Sequence, residues 1–188
     1  MKIVIIGGVA AGTKVAAKLK RESPWDEIVI YTKGKDISYA GCGLPYYIGG
    51  AIETEGELIV NTPAKFMGLT GTTVHTSSEA VAVDPAAKTV SVRRNQGAGD
   101  TAGAQTSEAG GNAGPGQRTA AEDGGAMPQE TETVSYDKLV IAVGAESSVP
   151  PVEGTKLPGV FTVRTPQDAI GCRKYAEEQN CKRAVVVG

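Results

Sequence analysis

The first 21 residues constrain the fold more strongly than any other part of the chain. A run of mainly β-branched residues at 2–6 predicts a buried strand, and residues 13–21 predict a helix. Between them lies the turn Gly7-Gly8-Val9-Ala10-Ala11-Gly12. A strand, a tight glycine turn and a helix in this order are typical of a dinucleotide site, because the helix amino terminus offers N–H groups and a positive dipole end to a pyrophosphate.

Glycine has a specific purpose at two positions of this turn. Gly7 supplies the sharp turn, and Gly12 lets the helix pack closely on the strand. Val9 stands where the pattern G-x-G-x-x-G has its middle glycine. The turn alone therefore leaves two interpretations open, a dinucleotide site and a simple tight connection between a strand and a helix.

A second strand is predicted at residues 27–31 and is followed by Thr32-Lys33. About 20 residues beyond the glycine turn, an acidic residue normally accepts the ribose hydroxyls of the nucleotide. Threonine still offers a hydrogen bond to a hydroxyl, whereas the neighbouring lysine suits a 2′-phosphate. At this point a flavin and a nicotinamide dinucleotide, NADP included, both remain open.

Composition divides the remainder of the chain. Its 188 residues suit one domain with part of a second. Residues 95–133 contain no Val, Ile, Leu, Phe, Tyr or Trp, so they bury too little apolar surface to offset the entropy of ordering. We expect a disordered low-complexity insertion there, between alternating strands at residues 89–92 and 134–136.

The sequence after the insertion predicts two further strands and a helix. Residues 138–143 form a continuous apolar run, which is typical of a buried parallel strand and ends at Gly144. A stiff linker at residues 149–151 precedes a helix predicted at 165–179, with Pro166 in its first turn. Residues 183–187 predict another buried strand.

Charge, histidine and cysteine counts argue against several classes of function. A net charge of −2 gives no general field that attracts nucleic acid or an anionic membrane. The single histidine cannot form a multi-histidine metal site, and we expect no metal. Three widely spaced cysteines do not suggest a secreted disulfide framework, so we expect a cytoplasmic protein. No apolar run approaches the roughly 20 residues that span a bilayer.

The most distinctive motif is residues 38–50, with the sequence SYAGCGLPYYIGG. Its cysteine, Cys42, lies between Gly41 and Gly43, which allow the backbone to approach a flat ligand closely. The cysteine also precedes a predicted short helix, and a helix amino terminus favours the reactive thiolate form. From these residues alone, a redox thiol and a buried structural cysteine both remain open.

Together, the turn at residues 7–12 and the motif at 38–50 resemble the single-cysteine flavoprotein disulfide reductases, in particular coenzyme A-disulfide reductases and the related NADH oxidases and persulfide reductases. Shorter motifs at 61–63, 79–84, 135–145 and 164–166 extend the resemblance over almost the whole chain outside the insertion. It implies an α/β fold, a Rossmann-like FAD-binding domain of the glutathione reductase type that combines a parallel sheet with a β-meander.

The resemblance also implies a domain organisation. Residues 1–94 and 134–148 would form the FAD-binding domain, interrupted by the insertion at 95–133. Residues 149–188 would form a linker and the start of an incomplete NAD(P)-binding domain. The chain would then be the amino-terminal part of a longer enzyme, which we expect to be a homodimer.

In these enzymes electrons pass from NAD(P)H through FAD to one cysteine. The resemblance assigns that role to Cys42, which would reduce a small disulfide or persulfide such as that of coenzyme A. Tyr47 stands where two-cysteine reductases carry a second thiol, and Cys172 and Cys181 are expected to be structural or incidental. The residues implied to bind FAD are Gly7, Gly8, Val9, Ala10, Ala11 and Gly12 at the pyrophosphate, Thr32 and Lys33 at the adenosine end, Ala80 at the adenine, and Ala142, Val143 and Gly144 at the flavin.

A basic stripe on the first helix suggests where the substrate binds. Lys14, Lys18 and Arg21 fall at i, i+4 and i+7 and therefore share one face. Such a stripe is often only a solvated face. The coenzyme A-binding relatives, however, use corresponding positions together with Ser38 to hold the ligand, and Gly41 occupies the place of a further binding residue, an asparagine.

Three residues depart from the family pattern and bear on the expected reaction and on the expected FAD contacts. Ala10 stands where peroxidases and water-forming oxidases carry a histidine, which favours a disulfide or persulfide reductase. Thr32 and Val143 replace an acidic residue and a threonine at FAD contacts. Two alternatives remain open: an NADH oxidase that reduces oxygen, and a nucleotide-binding module without activity of its own.

Overall fold

The computed structural model describes residues 1–94 and 131–187. The chain forms two compact units, Met1–Ser38 with Asn61–Val143 and Tyr39–Val60 with Gly144–Gly188. The described helices and strands are β1 (Lys2–Ile6), α1 (Ala10–Glu22), β2 (Glu27–Tyr31), α2 (Leu44–Ile48), α3 (Pro63–Thr70), β3 (Thr73–His75), β4 (Ser78–Asp84), β5 (Thr89–Arg94), β6 (Thr131–Ser135), β7 (Lys138–Ile141) and α4 (Pro166–Glu178).

The first unit is built on a four-stranded parallel sheet with the strand order β3-β2-β1-β7. Because side chains alternate along a strand, β1 and β2 bury both of their faces. Ile3 and Ile5 pack with Ala16 of α1 and Phe66 of α3. Val4 and Ile6 face the opposite side. The predicted α/β fold with a central parallel sheet is therefore confirmed.

A three-stranded antiparallel sheet, β4-β5-β6, covers that opposite side. Val90, Val92 and Val134 pack there against Val4 and Ile6. This sheet is the expected β-meander. β6 begins at Thr131, whereas the predicted insertion extended to residue 133. Thr131 to Thr133 pair with Arg93 to Ser91, so backbone hydrogen bonding orders three residues that carry no apolar side chain. The rest of the predicted insertion lies outside the described residues.

Two expectations about strands were wrong. β7 is parallel to β1, but it forms the edge of the sheet, and Ile141 is 65% exposed rather than buried. Residues 183–187 form no strand, and Val185, Val186 and Val187 are exposed. No other strand of the described residues pairs with this segment, and an unpaired extended segment lacks the hydrogen bonds that define a strand.

The second unit contains the cysteine motif. Gly41–Gly43 forms a 3-10 turn that leads directly into α2, as the predicted short helix requires. The core of the second unit consists of Leu44 and Tyr47 from α2, Leu58, and Ala169 from α4. A capping box between Thr165 and Asp168, with Pro166 in the first turn, begins α4 where the sequence predicts it. No helix within the described ranges combines the length and apolar character needed to cross a membrane.

Candidate functional site

The glycine turn between β1 and α1 is tightly packed. Gly7 has φ +107°, and a Cβ there would overlap the carbonyl oxygen of Ala142. A Cβ at Gly12 would overlap the carbonyl oxygen of Gly7. The Gly7 N–H donates to the Tyr31 carbonyl at 2.8 Å, which fixes the turn at the ends of both central strands. Backbone packing therefore requires glycine at both positions, as the sequence predicts.

The amino terminus of α1 is available to an anion. Its N-cap residue, Val9, makes no side-chain cap, and the first turn carries no acidic residue. Ala10 and Ala11 are exposed and project only methyl groups. Val9 has a negative φ of −96°, so this position does not require the left-handed conformation that favours glycine. Uncapped N–H groups at the positive end of a 13-residue helix fit a dinucleotide pyrophosphate.

Thr32 and Lys33 lie at the carboxyl end of β2, next to this turn. A Cβ on Gly8 would be 3.1 Å from Cγ2 of Thr32, so the threonine side chain packs directly against the glycine turn. Thr32 is 7% exposed, and its backbone N–H donates to the His75 carbonyl at 2.9 Å. The structure thus brings Thr32 and Gly8 together, as expected of the adenosine end of a dinucleotide site.

An unexpected carboxylate holds Lys33. The Lys33 Nζ lies 2.9 Å from Oε1 of Glu79, and the Arg93 Nη2 lies 2.8 Å from Oε2 of the same group. Hydrogen bonds from Arg93 and Lys33 hold the pKa of Glu79 below its usual value. Ala80 follows Glu79 at a register shift in the pairing of β4 with β5. Sequence reasoning missed Glu79, and the available signal was the opposite charge of its cross-strand partner Arg93.

We expect Glu79→Gln to lower the free energy of unfolding at pH 7 by about 0.5 to 1 kcal/mol, the scale of a partly exposed ion pair. The pKa of Glu79 is depressed in the folded state, so its stabilising effect is present above the unfolded pKa and is lost as the pH falls. Urea denaturation should therefore show a difference in the free energy of unfolding between the wild type and Glu79→Gln at pH 7, and this difference should disappear at pH 3. Glu146→Gln, which removes an exposed carboxylate that has no ion pair among the described contacts, serves as the control and should change the stability at neither pH. An equal loss at both pH values would contradict the ion-pair explanation.

The flavin-side residues predicted from the sequence fall in different surroundings. The Ala142 N–H donates to the Ile6 carbonyl at 2.7 Å, and this residue lies against Gly7. Val143 follows and is exposed. Gly144, in the second unit, has φ +75°, and a Cβ there would lie 2.6 Å from Nη2 of Arg164. Contact with the glycine turn is thus established for Ala142.

Ser38 lies beside the glycine turn in an uncommon conformation. It has φ +49°, and its N–H donates to the Gly8 carbonyl at 3.1 Å. The Asn61 Nδ2 donates to the Ser38 hydroxyl at 3.3 Å. Sequence reasoning assigned no role to Asn61, because 23 residues separate it from the serine it holds.

The basic stripe of α1 is a solvent-facing surface. Lys14, Lys18 and Arg21 are all exposed, whereas Gly12 and Ala16 are buried on the other face. The Lys18 Nζ lies 2.8 Å from Oε1 of Glu22, one turn further along the helix. The predicted arrangement on one face is therefore present, with Lys18 already paired.

Cys42 lies in the middle of the 3-10 turn Gly41–Gly43 and is exposed. A Cβ on Gly43 would lie 3.2 Å from Cδ1 of Ile52, so the backbone beside the cysteine is closely packed. At Gly41, a Cβ would meet no described atom within 4 Å. The thiol is thus presented to solvent on a turn that is packed on one side and open on the other, and a buried structural role is wrong for it.

The other two cysteines belong to the α4 region. Cys172 is half-buried, and Cys181 is exposed. Burial, and secondarily the neighbouring Cys181, raises the pKa of the Cys172 thiol, which disfavours its reactive thiolate. The position of a second active thiol is occupied by Tyr47, which is 6% exposed and part of the core of the second unit.

The sequence matches the family described as pyridine nucleotide-disulphide oxidoreductase over residues 1–188. The chain belongs to this family. The family assignment and the α/β fold class predicted from the sequence are thereby confirmed, and the family's description names a class of oxidoreductases.

Individual relatives carry different names. The chain is 33% identical to a protein of Methanocaldococcus jannaschii named NADH oxidase, with all of the chain and 35% of that protein aligned. It is 28% identical to a coenzyme A disulfide reductase of Staphylococcus haemolyticus, over all of the chain and 35% of the relative. The solved NAD-dependent persulfide reductase of A. fulgidus superposes with a TM-score of 0.74 at 30% identity, covering 95% of this chain and 28% of that one. The chain thus spans about a third of the length of these relatives.

Proposed function

We propose that this chain is the part of an FAD-dependent oxidoreductase that carries the redox cysteine, and that Cys42 passes electrons from NAD(P)H to a small disulfide or persulfide such as that of coenzyme A. The observation that carries the proposal is the exposed Cys42 on its glycine-flanked turn at the start of α2. Family membership supplies the reaction class. The domain limits and the site roles predicted from the sequence form part of this proposal.

The residues that would hold FAD are those predicted from the sequence. Backbone N–H groups of Gly7 to Gly12 would bind the pyrophosphate, and Thr32 and Lys33 the adenosine ribose. The Ala80 backbone would meet the adenine, and Ala142 to Gly144 the flavin. FAD, when bound, supplies a two-electron carrier between NAD(P)H and the thiol.

Cys42 would perform the disulfide chemistry. Its thiolate attacks one sulfur of R–S–S–R, forms a mixed disulfide and releases the first R–S⁻. Two electrons that originate from NAD(P)H then break the mixed disulfide, which restores the Cys42 thiolate and releases the second R–S⁻. Since Tyr47 occupies the place of a second thiol, the mixed disulfide has no adjacent cysteine to resolve it.

The substrate would bind through cationic and small residues. Lys14, Lys18 and Arg21 offer charge to the phosphates of coenzyme A, and Ser38 offers a hydroxyl that Asn61 holds in place. Gly41 leaves open space beside the thiol, where an asparagine side chain would occupy volume. We further propose that the full-length protein is a cytoplasmic homodimer that binds neither nucleic acid nor a membrane.

A second candidate is an NADH oxidase that reduces oxygen. It is favoured by the name of the Methanocaldococcus jannaschii relative. Ala10 argues against it, because the oxygen- and peroxide-reducing members that this chain resembles carry a histidine at this position, and a methyl group provides no imidazole for proton transfer.

The two candidate functions differ in their electron acceptor, which is a disulfide in one and oxygen in the other. A protein of the relatives' length that contains this chain should be yellow, and it should oxidise NADH or NADPH at least about tenfold faster with coenzyme A disulfide than with oxygen alone.

Lys14→Ala should raise the KM for coenzyme A disulfide about fivefold, which corresponds to about 1 kcal/mol for one charge-assisted contact.

Lys65→Ala on α3 is the matched control, since it removes an exposed lysine of the same unit outside the basic stripe. Its KM should equal that of the wild type. An equal rate with oxygen alone would replace the proposal by the NADH oxidase. Colourless protein that binds no added FAD would leave only a nucleotide-binding module.

A further inference from the structure

Arg173 of α4 makes an unusual set of contacts within the second unit. Its guanidinium lies over the ring of Tyr47, 4.8 Å from the centroid. The Nη1 atom donates to the carbonyl oxygens of Tyr47, Ile52 and Glu53 at 3.3, 3.1 and 3.3 Å. The Nε atom donates to Glu177 at 2.9 Å. One side chain therefore contacts a ring, three backbone carbonyls and a carboxylate.

These contacts hold the end of α2 and the segment that follows it. The Tyr47 carbonyl also accepts from the Gly50 N–H at 3.1 Å, whereas Ile52 and Glu53 lie beyond the helix. A helix ends with carbonyls that lack intrahelical donors, and a cation near that end is favoured by the helix dipole. Tyr47 belongs to the last turn of α2, whose other end begins two residues after Cys42. Arginine suits this position because its planar group both stacks on a ring and donates several hydrogen bonds.

A second connection reaches the turn itself. Arg173 holds the carbonyl of Ile52, and Cδ1 of Ile52 packs against Gly43, 3.2 Å from where a Cβ would stand. Gly43 is the residue next to Cys42. Arg173 thus acts on the cysteine segment from two sides, at the end of α2 and through the Ile52 side chain.

We propose that Arg173 is a positioning residue that fastens the Cys42 turn and α2 onto α4 and thereby holds the thiol in the orientation needed for disulfide exchange. The functional half of this inference rests on the proposed role of Cys42. The structural half is independent of it, because it concerns only contacts within the second unit.

Hydrogen exchange of the 188-residue chain tests the fastening. Arg173→Ala should accelerate the exchange of backbone amides in residues 43–53 at least about tenfold, because this segment loses its hydrogen bonds to the guanidinium of α4. Lys174→Ala is the matched control: it removes the neighbouring basic side chain of the same helix, which pairs only with Glu178 among its described contacts. Equal exchange in the two variants would overturn the inference.

Steady-state and rapid kinetics of the FAD-loaded protein of the relatives' length test the positioning. Arg173→Ala should lower kcat for coenzyme A disulfide about tenfold, with flavin content and the rate of flavin reduction by NAD(P)H unchanged. Arg173→Lys should recover part of the loss, since it keeps the cation over Tyr47 but not the fork of donors. A loss spread equally over flavin reduction and disulfide turnover would indicate general destabilisation and overturn the positioning role.

Cys42→Ser separates this inference from the proposed function. If that variant reduces disulfide as fast as the wild type, the proposed function is wrong and Arg173 positions no redox thiol. The exchange measurement still decides whether Arg173 fastens the segment. If Cys42→Ser is inactive while Arg173→Ala turns over normally, the proposed function stands and the positioning role fails.

Discussion

Cys42→Ser should lower the rate of disulfide reduction at least about 10³-fold while the protein remains folded and yellow, because a serine hydroxyl cannot form the mixed disulfide on which exchange depends. The side chain is exposed at the centre of its turn, so exchanging the thiol for a hydroxyl of similar size leaves the buried side chains of the second unit untouched. The substitution therefore removes the reactive thiol and leaves the packing of the turn unchanged. NAD(P)H oxidation with coenzyme A disulfide and the flavin absorbance together measure both parts of the expectation.

Cys172→Ser and Cys181→Ser provide the matched controls. Burial raises the pKa of the half-buried Cys172 thiol, and Cys181 lies outside the glycine-flanked turn that presents Cys42 before a helix. Both variants should keep the wild-type rate. If Cys42→Ser retained full turnover, the cysteine motif would have no part in the reaction; if Cys172→Ser lost turnover as well, α4 would contribute a thiol to it.

The parts of the structure that the sequence predicted are those decided by nearby residues. The strands β1 and β2, the glycine turn and the start of α4 each follow from a local pattern of apolar residues, glycine or capping residues. Gly7 is an example, because its φ of +107° and its place between a strand and a helix are consequences of one short motif.

The contacts that the sequence did not predict join residues far apart in the chain. Lys33 and Glu79 are 46 positions apart, and Arg173 is 126 positions from Tyr47. A surface lysine or arginine has many solvated conformations, and only the packed fold decides which carboxylate or carbonyl it meets. The prediction of a strand at residues 183–187 was wrong for a related reason, because strand formation depends on a neighbouring strand as well as on residue type.

Gly12→Ala should have the largest effect on the fold. Two opposing contributions act at this position. Alanine is favoured over glycine inside a helix by about 1 kcal/mol. Its Cβ, however, would overlap the carbonyl oxygen of Gly7, a backbone atom that can move only if the turn itself moves. Overpacking of this kind costs about 3 kcal/mol, so the overlap dominates and the variant should be destabilised by about 2 kcal/mol.

A glycine-to-alanine substitution in α3 should have the opposite effect on stability. Gly68→Ala places a Cβ where no described atom lies within 4 Å, so only the gain in helix propensity remains and the first unit should become slightly more stable. Urea denaturation of the two variants isolates the packing of the turn from the propensity of the residue. A shift of Gly7 would also displace the N–H groups at the start of α1, so Gly12→Ala should bind FAD more weakly in a fluorescence titration, whereas Gly68→Ala should bind it normally. Equal stability of Gly12→Ala and the wild type would mean that α1 and β1 are not held together by the close backbone contact between Gly12 and Gly7.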